Sequence, residues 1–108
     1  DSRQAPTRKE AEFLARFRSM ETFIARYDGR LDFKGKRILD VGSGLGSPAI
    51  LMAGRGAERV VGADIIPRDV DFARRKLASE YAHLADKVEV SPGEVERQKP
   101  GSWWPSHS

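Results

Sequence analysis

The sequence contains no cysteine. That absence excludes a disulfide-stapled scaffold, thiolate metal ligation and a thiol nucleophile. Long apolar runs are also lacking. The longest, Ala49-Ile50-Leu51-Met52-Ala53, has five residues, against the roughly 20 that a membrane-spanning helix needs. No apolar core of about seven residues follows a basic start, as a secretory leader would require. A cytoplasmic protein that does not enter a membrane is the expectation. Histidine is scarce: His83 falls in a helical stripe and His107 in an irregular tail. With no thiol and no clustered imidazole, no metal site is expected. Charge of one sign is not in large excess either, because 19 Lys and Arg face 16 Asp and Glu for a net +3. A chain of 108 residues allows one small domain.

The positive charge is uneven. Residues 1–37 carry ten basic and six acidic side chains, and residues 38–108 carry nine and ten. A basic arm attracts nucleic acid or anionic lipid. Acids are interleaved throughout it, however, which is the pattern of a solvated helix face and leaves nucleic acid only as an open alternative. The chain starts at Asp1 rather than Met and ends in Gly101-Ser102-Trp103-Trp104-Pro105-Ser106-His107-Ser108, which matches no folded element.

Hydrophobic spacing gives the elements. Ala11, Phe13, Leu14, Phe17, Met20, Phe23, Ile24 and Tyr27 recur at three and four residues, so about Thr7 to Tyr27 is read as an amphipathic helix, or two short helices in line. Thr7 and Glu10 fit a capping box, and Asp28-Gly29 fits a helix end. The Phe-rich stripe either packs on a core or covers a ligand. Arg37-Ile38-Leu39-Asp40-Val41 is a short strand, apolar enough to be buried on both faces of a parallel sheet. A helix follows from Ser47 to Ala53, with Pro48 in its first turn, where a missing N–H costs little. Arg59 to Asp64 is a second strand. Val70, Ala73, Leu77, Tyr81 and Leu84 mark a helix from Arg68 to about Ala85. Lys87-Val88-Glu89-Val90 is a third strand, closed by Ser91-Pro92-Gly93. Strands alternating with helices indicate βαβ units and a parallel sheet.

The chemistry is concentrated between the first strand and its helix. Gly42, Gly44 and Gly46 let the backbone turn sharply and approach a ligand closely. Asp64 follows Gly46 by 18 residues and ends the second strand. An acid there is placed to accept both hydroxyls of a ribose. A dinucleotide fingerprint, G-x-G-x-x-G, would put its third glycine at Ser47 counted from Gly42, or at Ala49 counted from Gly44. The pattern present is G-x-G-x-G, with Asp40 two residues ahead of it. Asp40 caps the N–H groups of the loop or, on the resemblance drawn next, welcomes a cationic ligand group.

Leu39-Asp40-Val41-Gly42-Ser43-Gly44-Leu45-Gly46 resembles the first motif of the class I S-adenosylmethionine-dependent methyltransferases. The resemblance spans about residues 36–97. It implies an α/β fold: a parallel-sheet, Rossmann-like methyltransferase half with about three strands in the order 3-2-1, preceded by the N-terminal amphipathic helix. It divides the chain into a helical cover (1–30), an incomplete cofactor-binding core (31–97) and an irregular tail (98–108). It implies S-adenosyl-L-methionine as cofactor. Asp40, Gly42, Ser43, Gly44 and Gly46 would line its methionine and ribose. Asp64 would bind the ribose hydroxyls. Ile65, with Ile66 beside it, would lie against the adenine. Glu94 would receive the adenine amino group, with the backbone of Val95 next to the ring. The family's usual Gly-Asp pair is here Gly93-Glu94, one methylene longer and preceded by Pro92.

The fourth strand of the family should begin near Gly101-Ser102-Trp103-Trp104, where Pro105 and Ser106 break it. The methyl acceptor and a general base are therefore not legible. The resemblance also implies a first strand with a bare apolar edge. The expectation is that the chain is a fragment, or that a second copy or a partner chain covers that edge. A monodisperse, cooperatively folded monomer would contradict it. Two other functions stay open at this point: a nicotinamide- or flavin-dinucleotide half domain, and a non-catalytic assembly or regulatory module.

Overall fold

The computed structural model describes residues 7–27 and 30–93. The elements are α1 (Arg8–Arg26), β1 (Arg37–Val41), α2 (Ser47–Gly54), β2 (Arg59–Asp64), α3 (Pro67–Ser79), a 3₁₀ turn (Ala82–Leu84) and β3 (Val88–Pro92). The three strands are parallel in the order β1-β2-β3, the order 3-2-1 expected from the sequence. Register aligns their carboxyl ends: Val41 stands beside Ala63, and Asp64 beside Pro92. Each crossover is a helix, as a parallel sheet requires.

Burial follows position in the sheet. β2 is central, and Val60 and Val61 are fully buried. β3 alternates, with Val88 and Val90 inward and Glu89 outward. β1 is only half-buried. The expectation of burial on both faces fails for β1, because among the described residues it has a neighbouring strand on one side only. The core gathers Ile50, Met52 and Ala53 of α2, Val70, Phe72, Ala73 and Leu77 of α3, and Phe13 of α1.

Thr7 caps α1 by accepting the Glu10 N–H at 3.2 Å. The reciprocal half of the capping box does not form. The Glu10 carboxylate instead reaches across to Lys76 of α3. Lys76 is buried, its ammonium shared between Glu10 and Glu80 and lying 5.1 Å from the Phe13 ring centre. Burial alone would lower its pKa, but hydrogen bonds to the two glutamates outweigh that and raise it. The aromatic stripe of α1 splits. Phe13 and Ile24 are buried, Phe17 and Met20 pack on the core, and Leu14, Phe23 and Tyr27 are exposed. The Phe13 ring sits about 6 Å from those of Phe17, Phe72 and Tyr81, close enough for tilted aromatic contact. Asp28-Gly29, expected to end the helix, lies outside the described residues.

Two boundaries differ from the sequence expectation. The helix expected to run to about Ala85 stops at Ser79. The Ser79 hydroxyl donates to the Arg75 carbonyl at 2.8 Å, and the Glu80 and Tyr81 N–H groups share the Lys76 carbonyl. Such local bonding loosens a helix end. The break frees Tyr81 to turn its ring onto Phe13 and Phe17 while Leu84 enters the core. β3 extends to Pro92 rather than ending at Val90. Proline is tolerated because no described strand lies beyond β3 to need its N–H. No helix among the described residues is long and apolar enough to cross a membrane.

Candidate functional site

The site lies where β1 and β2 end. Gly42, Gly44 and Gly46 have φ of 72°, 58° and 92°, a left-handed region that side chains disfavour. The Gly42 and Ser43 N–H groups both donate to the Ala63 carbonyl, at 2.8 and 3.1 Å, carrying the sheet ladder into the loop. The loop then closes with a 3.0 Å bond from the Gly46 N–H to the Ser43 carbonyl.

The three glycines do different work. A Cβ on Gly46 would stand 2.9 Å from the Cβ of Ala73, so this glycine lets α2 and α3 pack closely. Among the described residues, a Cβ on Gly42 would meet nothing within 4 Å, and one on Gly44 would meet only the Arg16 guanidinium, at 3.4 Å. The backbone at Gly42 and Gly44 therefore borders open space. That space is what a bound group needs, and Gly46 contributes to it only indirectly.

Both acids stand at this opening. The Asp64 carboxylate accepts the Gly44 N–H through Oδ2 at 2.8 Å and the Ile66 N–H through Oδ1 at 2.9 Å. It thus joins the end of β2 to the glycine loop. Each oxygen keeps acceptor capacity for a second donor. Asp40 is different. Its Oδ2 is buried and has no hydrogen-bond partner among the described residues. Burial, and then repulsion from Asp64, push its pKa up from 3.8 to about 6. Of the two sequence roles for Asp40, capping of the loop N–H groups falls to Asp64 instead. Asp40 is left with an unused acceptor, the arrangement expected if a cationic group is to be received.

Ser43 is buried, its hydroxyl unpartnered among the described residues and pressed towards Gly62. Its side chain supports the loop from below. Ile65 is 69% exposed and Ile66 is also exposed, so neither is core. Both lie beyond Asp64 at the mouth of the opening. Glu94 and Val95 lie outside the described residues.

Three contributors escaped the sequence reading. Gly62 has room for no side chain, since a Cβ would fall 2.9 Å from the Ser43 hydroxyl. A glycine interrupting an apolar strand was a usable signal for such an approach. The Ser47 hydroxyl donates to the Phe13 carbonyl at 2.9 Å in a buried bond that ties α1 to the start of α2. Arg16 overlies Gly44. Neither of these last two leaves a local pattern, because each joins residues distant in the chain. His83 is exposed on the 3₁₀ turn. No group of three His, Asp or Glu side chains among the described residues is placed to hold a metal ion.

The residues suit some ligands better than others. Pyrophosphate needs several free N–H groups at a helix start. Here Pro48 supplies none, and the Gly44 N–H already serves Asp64. Two carboxylates beside an open glycine turn fit a ribose diol and an ammonium group, which an adenosyl amino acid such as S-adenosylmethionine carries.

Comparison with known proteins agrees with this chemistry. The family model described as a methyltransferase domain matches residues 39–100. The ribosomal protein L11 methyltransferase of Deinococcus radiodurans is 48% identical over 46 residues, 43% of this chain and 17% of that protein. The ubiquinone biosynthesis O-methyltransferase of Neisseria meningitidis serogroup C is 49% identical over 51 residues, 47% of this chain and 21% of that protein. The chain thus spans about a fifth of the length of these curated relatives. Among solved structures, Arabidopsis thaliana protein arginine methyltransferase 10 superposes with a TM-score of 0.61 at 32% identity, covering 82% of this chain and 25% of that one. A methyltransferase from Thiobacillus denitrificans in complex with S-adenosyl-L-homocysteine superposes with a TM-score of 0.50 at 27% identity, covering 57% of this chain and 24% of that one.

Proposed function

We propose, for a chain that belongs to the methyltransferase domain family, that the opening at the ends of β1 and β2 binds S-adenosylmethionine and presents its methyl group to an acceptor. S-adenosylmethionine is the cofactor of this family; it supplies a methyl group on a sulfonium sulfur that leaves as a neutral thioether. The observation that carries the reading is the bond between the Asp64 carboxylate and the Gly44 N–H. The bond supports the reading because it joins Asp64, the proposed ribose ligand, to the open glycine turn.

The residues divide the ligand between them. Asp64 accepts the ribose hydroxyls. The carboxylate of Asp40, beside Asp64, is assigned the ammonium group. Gly42 and Gly44 leave room for the ribose and the methionine chain, Ser43 supports the turn, and Gly46 sets the packing behind it. Ile65 and Ile66 offer an apolar face to the adenine. Glu94 and Val95 are assigned the adenine edge from the family motif. Methyl transfer to a well-oriented nucleophile depends mainly on positioning, so the chain's contribution is to hold the cofactor in one orientation.

Calorimetric titration with S-adenosylhomocysteine tests the reading, with NAD as the control. S-adenosylhomocysteine should bind and NAD should not. Asp64→Ala weakens binding at least tenfold, the loss expected when charge-assisted bonds to two hydroxyls are removed. Binding of NAD in preference to S-adenosylhomocysteine would overturn the proposal.

A further inference from the structure

α1 turns one side to the core and the other to solvent. Phe13 and Ile24 are buried, and Phe17 and Met20 pack on the core. On the solvent side of its second half lies a shallow groove of about 410 Å³, lined by Arg18, Ser19, Thr22, Phe23 and Arg26. Spacings of one, three and four residues put these side chains on one face, and all five are exposed. Phe23 is an aromatic ring of the helix that never reaches the core. It is 46% exposed and stands 4.8 Å from the ring of Tyr27, which is exposed as well. The two rings are tilted at 52°, so a face of Phe23 stays open to solvent.

The groove is also basic. Acids and bases alternate along this segment of sequence, but folding separates them. Glu10 is drawn to Lys76 of α3. Glu12 and Glu21 do not line the groove: helix geometry sets Glu21 on another side, and Glu12 about three turns nearer the start of α1 than Phe23. No acid among the described residues lines the groove. Arg18 and Arg26 make no side-chain hydrogen bond or ion pair with any described residue, and the Ser19 hydroxyl makes none either. Arg30 donates through Nε to the Tyr27 carbonyl at 3.2 Å. That bond adds a third guanidinium at the end of the helix that carries the two rings.

We propose that this face of α1 binds single-stranded nucleic acid, with Arg18, Arg26 and Arg30 on its phosphates and a base stacked on Phe23. A guanidinium fork matches phosphate oxygens, and the Ser19 hydroxyl can donate to another. A basic groove with an open aromatic ring is the combination that holds single strands without reading their sequence. A duplex keeps its base faces stacked and has none to offer Phe23. A second copy of this chain fits poorly, because a two-fold contact would set Arg18 and Arg26 against the same charges. A membrane surface fits poorly too, because the apolar stripe that would enter it is committed to the core. The proposal does not depend on the cofactor reading above.

Fluorescence anisotropy of the full chain with a labelled oligouridylate of about 12 nucleotides tests it. Binding should have a Kd of about 10⁻⁶ to 10⁻⁴ M. Three phosphate contacts give a log–log salt slope near −2, a loss of about 20-fold between about 50 and 200 mM salt. Arg18→Gln together with Arg26→Gln should flatten the slope to about −0.7. Phe23→Ala should weaken binding about 5- to 150-fold, the loss of one stacked base, and leave the slope unchanged. Phe23→Leu keeps an apolar side chain and removes the ring; it should weaken binding similarly and melt with wild type, which separates stacking from folding. A duplex of the same length should bind more weakly and be indifferent to Phe23→Leu. No binding at about 50 mM salt, or binding that none of these variants weakens, overturns the proposal. So does displacement of the oligonucleotide by polyglutamate of equal charge with no effect of Phe23→Leu, which would show a general polyanion surface. Co-sedimentation with phosphatidylserine vesicles that the same variants abolish, without oligonucleotide binding, overturns it in favour of a membrane surface.

Discussion

Replacing Asp40 with asparagine should stabilise the protein at neutral pH, by an amount that shrinks as the solution becomes acidic. The Asp40 pKa is raised from 3.8 to about 6, by burial and then by Asp64. The folded state therefore penalises the ionised carboxylate. Below pH 3.8 the group is neutral in both states and costs nothing. Between 3.8 and about 6 the unfolded chain ionises first and the folded state loses stability. Above that window the loss is complete. A shift of roughly two units corresponds to about 3 kcal/mol. Residual solvent contact screens the carboxylate, so about 1–2 kcal/mol is expected. Asparagine has nearly the same shape, and its amide inherits the missing partner at Oδ2, so the substitution isolates charge. Urea melts of both proteins at pH 4, 5, 6, 7 and 8 give the comparison directly. The gap should be near zero at pH 4, open through pH 5 and 6, and be flat above pH 7. In thermal melts each kcal/mol corresponds to roughly 4–8 °C. A gap independent of pH, or a variant less stable than wild type at pH 8, would refute the electrostatic account of Asp40. The same variant should bind S-adenosylhomocysteine more weakly, since Asp40 is the proposed partner of its ammonium group.

Two further substitutions test the scaffold. Gly46→Ala puts a Cβ 2.9 Å from Ala73 at a φ of 92° and should destabilise by about 2–4 kcal/mol in urea unfolding; a cost under about 1 kcal/mol would mean that α3 yields freely there. Ser47→Ala leaves the Phe13 carbonyl without its buried partner and should cost about 1–3 kcal/mol. It should also raise amide exchange in α1 above that in β2, whereas uniform protection across both would show that the bond does not anchor the helix.

Much of the framework was legible locally. The ends of β1 and β2 follow from apolar runs bounded by a basic residue and by a glycine or an acid. α1 follows from its three- and four-residue spacing and its Thr7 cap. The glycine loop was readable because a strand, three glycines, a helix and a following acid occur in a set order along the chain. The unlike fates of Asp40 and Asp64 were not readable. Both are acids near a glycine turn, and only the parallel register decides which one meets the Gly44 N–H. The break in α3 was missed for a similar reason. Helical periodicity continues through Tyr81 and Leu84, but the ring of Tyr81 is drawn towards α1, an element more than fifty residues earlier.

The sequence by itself determined the βαβ order, the positions of the tight turns and the acids available to a ligand. These are properties of residue type and of spacing within one element, set by backbone sterics and hydrophobic period. The tertiary structure alone decided that Gly46 serves packing while Gly42 and Gly44 border open space, that Gly62 makes way for Ser43, and that Arg16 reaches Gly44. Each of those outcomes is a distance between atoms far apart in the chain. Such distances exist only once Phe13 has docked α1 and the strands have paired in register.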